Sequence, residues 1–145
     1  MAAQHPGVKA MRELHLQLLP ILEAAVAKMA LGALWYSNAL FFKPWIRMSG
    51  MTEAQVKQGL PKALVVDFIG SLLMALVLFH TIRWSGAHAV VEGLFVGFLN
   101  WLGFVAVATV STVTYERKPV KLYLLNNGYQ LVSILVMGAI LAAWG

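Results

Sequence analysis

Between Pro61-Lys62 and Arg83-Trp84-Ser85-Gly86 the chain reads Ala63-Leu64-Val65-Val66-Asp67-Phe68-Ile69-Gly70-Ser71-Leu72-Leu73-Met74-Ala75-Leu76-Val77-Leu78-Phe79-His80-Thr81-Ile82. Asp67 is the one formal charge in that run. A helix rises about 1.5 Å per residue, so the run covers the roughly 30 Å of a bilayer's hydrocarbon core. Its apolar residues occupy every side, whereas a helix on the surface of a soluble protein keeps one polar face.

Three more runs of this kind flank it. The expected spans are about 20–42, 62–82, 90–114 and 122–144. The first closes on Lys43-Pro44-Trp45, a charge, a helix breaker and an interfacial aromatic. The third closes on Tyr115-Glu116-Arg117-Lys118-Pro119. Unbroken apolar runs exclude a closed β-barrel, whose strands would alternate. The fold expected is an all-α integral membrane bundle of four helices in a single domain, residues 1–145. Between the first two spans Thr52-Glu53-Ala54-Gln55 has the form of a capping box, and a short helix over Ser49–Gly59 is expected to lie along the cytoplasmic surface.

Composition agrees. Of 145 residues 60% are apolar and 12% charged, against about 45–50% and about 25% in an ordinary soluble domain. The absence of cysteine excludes disulfides and thiolate chemistry and removes the commonest zinc sites. No motif calls for a cofactor. Met1–Gln17 lacks the apolar core and small-residue site of a cleavable signal.

The net charge of +5 could mark nucleic-acid binding, but the basic residues stand beside the apolar runs. They read as topology signals, with membrane lipid and not nucleic acid as the partner. Lys9, Arg12 and Arg83 fall on one side. Lys43, Arg47, Lys57, Lys62, Arg117, Lys118 and Lys121 fall on the other. The positive-inside rule then puts the first and third connections in the cytoplasm and both termini outside an inner (cell) membrane.

Helix contacts in lipid are marked by small and polar residues. On the third span Gly93, Gly97, Asn100, Val107, Ala108 and Ser111 share the face expected inward, and Gly93 and Gly97 form a G-x-x-x-G pair. On the second, Asp67, Gly70, Ser71, Met74 and Ala75 do the same. On the fourth, Tyr123, Asn126, Gln130, Ser133 and Met137 align. Counted from the cytoplasmic ends, Asp67 lies level with Ser37, Asn38, Ser111, Thr112, Asn126 and Asn127, a single polar layer.

Lys28 and Asp67 are the costly residues, because a charge at membrane depth costs at least about 2.5 kcal/mol. Lys28 counts as some four turns from the cytoplasmic end and Asp67 as one or two. The expectation is therefore that Lys28 snorkels outward while Asp67 hydrogen-bonds the asparagines. The sharper alternative makes Asp67 a proton or cation site in a polar pathway with Asn100, Asn126, Asn127 and Gln130. His88 and Glu92 are one helical turn apart, with His80 nearby, a spacing able to hold a metal. Interfacial histidines are more often solvated boundary residues, and no metal is expected. No serine has a histidine and carboxylate at matching depth, which disfavours an intramembrane hydrolase. Trp101, at mid-depth, needs packing inside the bundle or against a partner.

Leu34-Trp35-Tyr36-Ser37, Leu40-Phe41-Phe42-Lys43-Pro44-Trp45 and Gly50-Met51-Thr52 resemble a bacterial membrane family catalogued as domain of unknown function 1761. Gly97-Phe98-Leu99-Asn100-Trp101-Leu102-Gly103-Phe104 and Lys121-Leu122-Tyr123-Leu124-Leu125-Asn126-Asn127-Gly128-Tyr129 are similar to its third and fourth spans. Asn38 and Phe42 stand where that pattern often has proline and glycine, and Lys28 where it is usually apolar. The resemblance implies a four-span fold and supplies no activity. The leading expectation is an oligomeric channel- or transporter-like bundle with a polar intramembrane site for an ion or small solute. The alternative is an accessory or scaffolding subunit of a larger membrane complex, and a membrane enzyme ranks third.

Overall fold

The computed structural model describes residues 5–144, and in residues 14–16 the backbone only. Five helices carry nearly all of this chain: α1 (Pro6–Trp35), α2 (Phe42–Ser49), α3 (Glu53–Ser85), α4 (Val90–Thr114) and α5 (Val120–Trp144). No strand occurs among the described residues. Helices α1, α3, α4 and α5 are each long and apolar enough to cross a membrane.

Their ends differ from the sequence reading in ways that local chemistry explains. α1 stops at Trp35 instead of running to Phe42. The Ser37 hydroxyl donates to the Leu34 carbonyl at 2.6 Å, giving the backbone an alternative to the next helical turn. The chain then folds back, with the Phe41 amide donating to the Trp35 carbonyl at 3.0 Å. α2 therefore begins at Phe42, carrying Pro44 in its first turn, where a missing amide donor costs little. Gly50 ends it at a φ of 73°, a left-handed conformation that glycine adopts without steric penalty.

The short helix expected over 49–59 is thus replaced by α2. The capping box does form: Thr52 Oγ1 accepts from the Gln55 amide at 3.2 Å, and Gln55 Oε1 accepts from the Thr52 amide at 3.0 Å. It starts the 33-residue α3, not a separate segment. Pro61 lies inside α3 and Pro20 inside α1, so neither marks a boundary. Gly86, at a φ of 74°, closes α3.

α5 is the central rod. It packs most extensively on α4 and α1 and less on α3, while α3 and α4 barely meet. Gly93 and Gly97 let α4 and α5 approach closely. A Cβ on Gly93 would run into the Gly138 carbonyl, and one on Gly97 would lie 2.9 Å from the Ile134 carbonyl oxygen. The α1–α3–α5 core, including Ile21, Ala24, Ala75, Leu78, Ile82, Met137 and Leu141, gathers in the half nearer the termini. Outward faces are apolar: Val65, Val66, Val77, Phe95 and Phe104 are all exposed.

Candidate functional site

α4 is not a uniform helix. Its segment Trp101–Ala106 is a π-helical turn, and such a turn accommodates one extra residue and rotates everything after it. The inward face read from periodicity holds up to Gly97, then drifts. Ala106 is buried, whereas Val107 is 61% exposed and Ala108 also faces out.

A π turn also leaves backbone groups without their usual partners, and polar side chains of both α4 and α5 bond around it. The Tyr123 hydroxyl donates to the Ala106 carbonyl at 2.6 Å, and Trp101 Nε1 donates to the Asn127 carbonyl at 3.1 Å. The Thr109 hydroxyl bonds the Val105 carbonyl at 2.8 Å and Asn127 Oδ1 at 3.2 Å. Asn127 Nδ2 donates to the Tyr123 carbonyl at 3.1 Å. Asn127 is buried in this clasp between α4 and α5, and Trp101 packs inside the chain.

A second polar group lies on the α1 side of α5. Lys28 Nζ is 3.0 Å from Asp67 Oδ1, so the two charges that sequence counting kept apart form an ion pair. The snorkelling expectation for Lys28 fails: its ammonium is buried against Asp67, and both helices end elsewhere than assumed. With α1 stopping at Trp35, Lys28 is about two turns from its end. With α3 starting at Glu53, Asp67 is about four turns in. Asp67 accordingly meets Lys28 and not the asparagines.

Tyr129, which sequence reasoning passed over, organises the surroundings. Gly32, one turn beyond Lys28, leaves room for its ring: a Cβ there would be 2.7 Å from the Tyr129 hydroxyl oxygen. That hydroxyl donates to the Lys28 carbonyl at 3.3 Å, and the Lys28 ammonium sits 5.3 Å from the ring centroid, within cation–π range. Tyr36 stacks edge-on against Tyr129 at 5.3 Å and donates to Asn126 Oδ1 at 2.8 Å. The signal in the sequence was the three-residue spacing of Asn126 and Tyr129, which puts them on one face of α5.

The pair is asymmetric. Lys28 is 2% exposed, while the Asp67 side chain is 49% exposed. Gly70, one turn on, has nothing within 4 Å of where a Cβ would stand.

The remaining candidates disperse. Asn100 Nδ2 bonds its own helix, at the Val96 carbonyl, 2.8 Å away. Gln130 lines a cleft of about 510 Å³ with Asn126, Asn127 and Thr112. His80 Nδ1 lies 2.8 Å from the Leu76 carbonyl. The Glu92 carboxylate accepts from the amides of His88 and Ala89 at 2.7 and 3.0 Å, so it caps α4. No three His, Cys, Asp or Glu residues gather in a metal-binding arrangement among the described residues. The two polar groups are joined through α5, where the adjacent Asn126 and Asn127 bond different partners, one Tyr36 and one Thr109.

No curated protein and no solved structure matches the chain. A family model described as "Protein of unknown function (DUF1761)" matches residues 19–142, which take in Lys28, Asp67, the α4–α5 clasp, α1 from Leu19 onward and α5 as far as Ala142. On that match the chain belongs to the DUF1761 family.

Proposed function

We propose that this is a multi-pass membrane protein in which the Lys28–Asp67 pair forms an intramembrane site for a proton, a small cation or a small polar solute. The reading is carried by the unequal burial of the two charges, 2% against 49%. A buried pair repays its desolvation only when its remaining lone pairs are hydrogen-bonded, and among the described residues the Asp67 carboxylate has a hydrogen bond from Lys28 alone. Here a proton or cation reaches Asp67 without parting the helices and competes with Lys28 for the carboxylate. The Tyr129 ring face, 5.3 Å from the ammonium, offers Lys28 a second resting place. Tyr36 and Asn126 extend the polar contacts toward the connection between α1 and α2.

In hydrocarbon a half-open carboxylate is costly, so the site either borders water or is covered by a second copy of the chain in an oligomer. Coverage by a different protein is the second reading, an accessory subunit, and the bare Gly70 beside Asp67 favours it equally. In proteoliposomes Asp67→Asn is expected to abolish or alter proton or cation flux. Flux equal to the parent's in every gradient tested overturns the transport reading. A partner that co-purifies in mild detergent and is lost in Asp67→Asn supports the second.

A further inference from the structure

Because α3 and α4 barely meet, a lateral groove runs between them with α5 as its floor. It consists of two clefts, of about 510 and 690 Å³, that share Met74, Phe104 and Val105. Phe104 and Val105 come from the π turn, so the local widening of α4 shapes the waist. The groove reaches along α5 from Leu122 to Met137, about 22 Å at helical rise.

Its two ends differ in chemistry. Toward the α4–α5 connection it is lined by Thr109, Thr112, Lys118, Asn126 and Gln130. Toward the α3–α4 connection it is lined mainly by Leu73, Val77, Ile134 and Met137, with Trp84 at the far end, and the polar groups of Thr81 and Asn100 there are bonded to carbonyls of their own helices. Two amide donors face the polar half unused. Asn126 Oδ1 is taken by Tyr36, which leaves Nδ2 to donate, and the Gln130 side chain makes no hydrogen bond among the described residues. Lys118 pairs with Glu116 at 2.9 Å, but both are more than half exposed, and such a surface pair contributes little. Arg117 and Lys121 leave the connection net positive after Glu116 is counted.

From this polarity gradient we infer that the groove is a binding site for one anionic phospholipid. An acyl chain lies along the Leu73–Met137 half, the ester oxygens accept from Asn126 and Gln130, and the phosphate displaces Glu116 from Lys118. A cation beside unused donors selects an anionic head with acceptor oxygens over a zwitterionic one. The inference shares with the proposed function the placement of the helices in a bilayer and Asn126, which neither test variant alters. It does not involve Lys28 or Asp67, so loss of the lipid and loss of flux are separable.

The test is native mass spectrometry of the full chain in mild detergent, titrated with dioleoyl phosphatidylglycerol or dioleoyl phosphatidylcholine. One phosphatidylglycerol is expected to be retained at collision energies that strip phosphatidylcholine. Lys118→Gln with Gln130→Leu is expected to weaken that binding about tenfold, the scale of one charge-assisted hydrogen bond. A second variant, Val105→Trp, fills the waist and should displace the lipid. Should it fail to fold, the polar double variant decides alone. Equal retention of the two lipids, or undiminished phosphatidylglycerol binding in the double variant, overturns the inference.

Discussion

Replacing Gly93 by alanine tests the closest helix contact in the molecule. The added methyl would overlap the Gly138 carbonyl and approach the Ala142 side chain, and Gly138 and Ala142 are themselves buried. A backbone carbonyl cannot rotate away as a flexible side chain can, so α4 and α5 must part. Separation by 0.5–1 Å forfeits about a quarter to a half of each dispersion contact along the seam. Overpacking of this kind costs about 1–3 kcal/mol, offset by the roughly 1 kcal/mol that alanine gains over glycine in a helix. The expected net loss is about 0–2 kcal/mol. Gly59, on the exposed start of α3 with nothing within 4 Å of its would-be Cβ, provides the control. There the same substitution should stabilise by about 0.5–1 kcal/mol. Both are measured by reversible unfolding in mixed micelles, followed by circular dichroism against denaturing detergent. Gly93→Ala as stable as Gly59→Ala would refute the packing argument.

Two further outcomes follow from the polar contacts. At 3.0 Å the Lys28–Asp67 pair has a gross attraction of about 5 kcal/mol at an effective dielectric near 20. The half-exposed carboxylate lowers the coupling to about 1 kcal/mol. A double-mutant cycle with Lys28→Met and Asp67→Asn should therefore be less destabilising than the sum of its single changes, and strict additivity would show that the charges do not interact. At the α4–α5 clasp, Tyr123→Phe removes the donor to the Ala106 carbonyl and should cost about 1 kcal/mol. Faster amide exchange should appear in the π turn, whereas exchange unchanged there would mean that the bond does not hold the turn.

The four long helices were legible because their signal is additive: each run is some twenty mostly apolar residues long and survives misplacement of its ends. The ends were less so. Proline at positions 20 and 61 reads as a boundary, yet both are absorbed within helices, while Ser37, an unremarkable residue in sequence, turns the chain through a hydrogen bond to its own backbone. Lys28 lies about two turns from the end of α1 and Asp67 about four turns into α3, so they meet only because the two helices are offset by about two turns. Depth counted along a chain inherits every error in its starting point, so the residues of the site were visible but their pairing was not. The outward turn of Val107 is a different kind of miss. Periodicity assumes one helical pitch, and a π turn at Trp101–Ala106 changes the phase without changing the composition. Tyr129 escaped notice because a tyrosine in an apolar run looks like interfacial filler until Gly32 is known to face it.

The account rests on four helices crossing a bilayer with alternate connections on opposite sides. The absence of cysteine makes a direct measurement possible. Single changes Lys9→Cys, Lys57→Cys, His88→Cys and Arg117→Cys are labelled in intact cells with a membrane-impermeant maleimide. Lys9→Cys and His88→Cys should react from outside, and Lys57→Cys and Arg117→Cys only after the membrane is opened. The reverse pattern would invert the orientation and keep the four spans. Lys57→Cys and His88→Cys reacting from the same side would mean that α3 does not cross, and the account would fail.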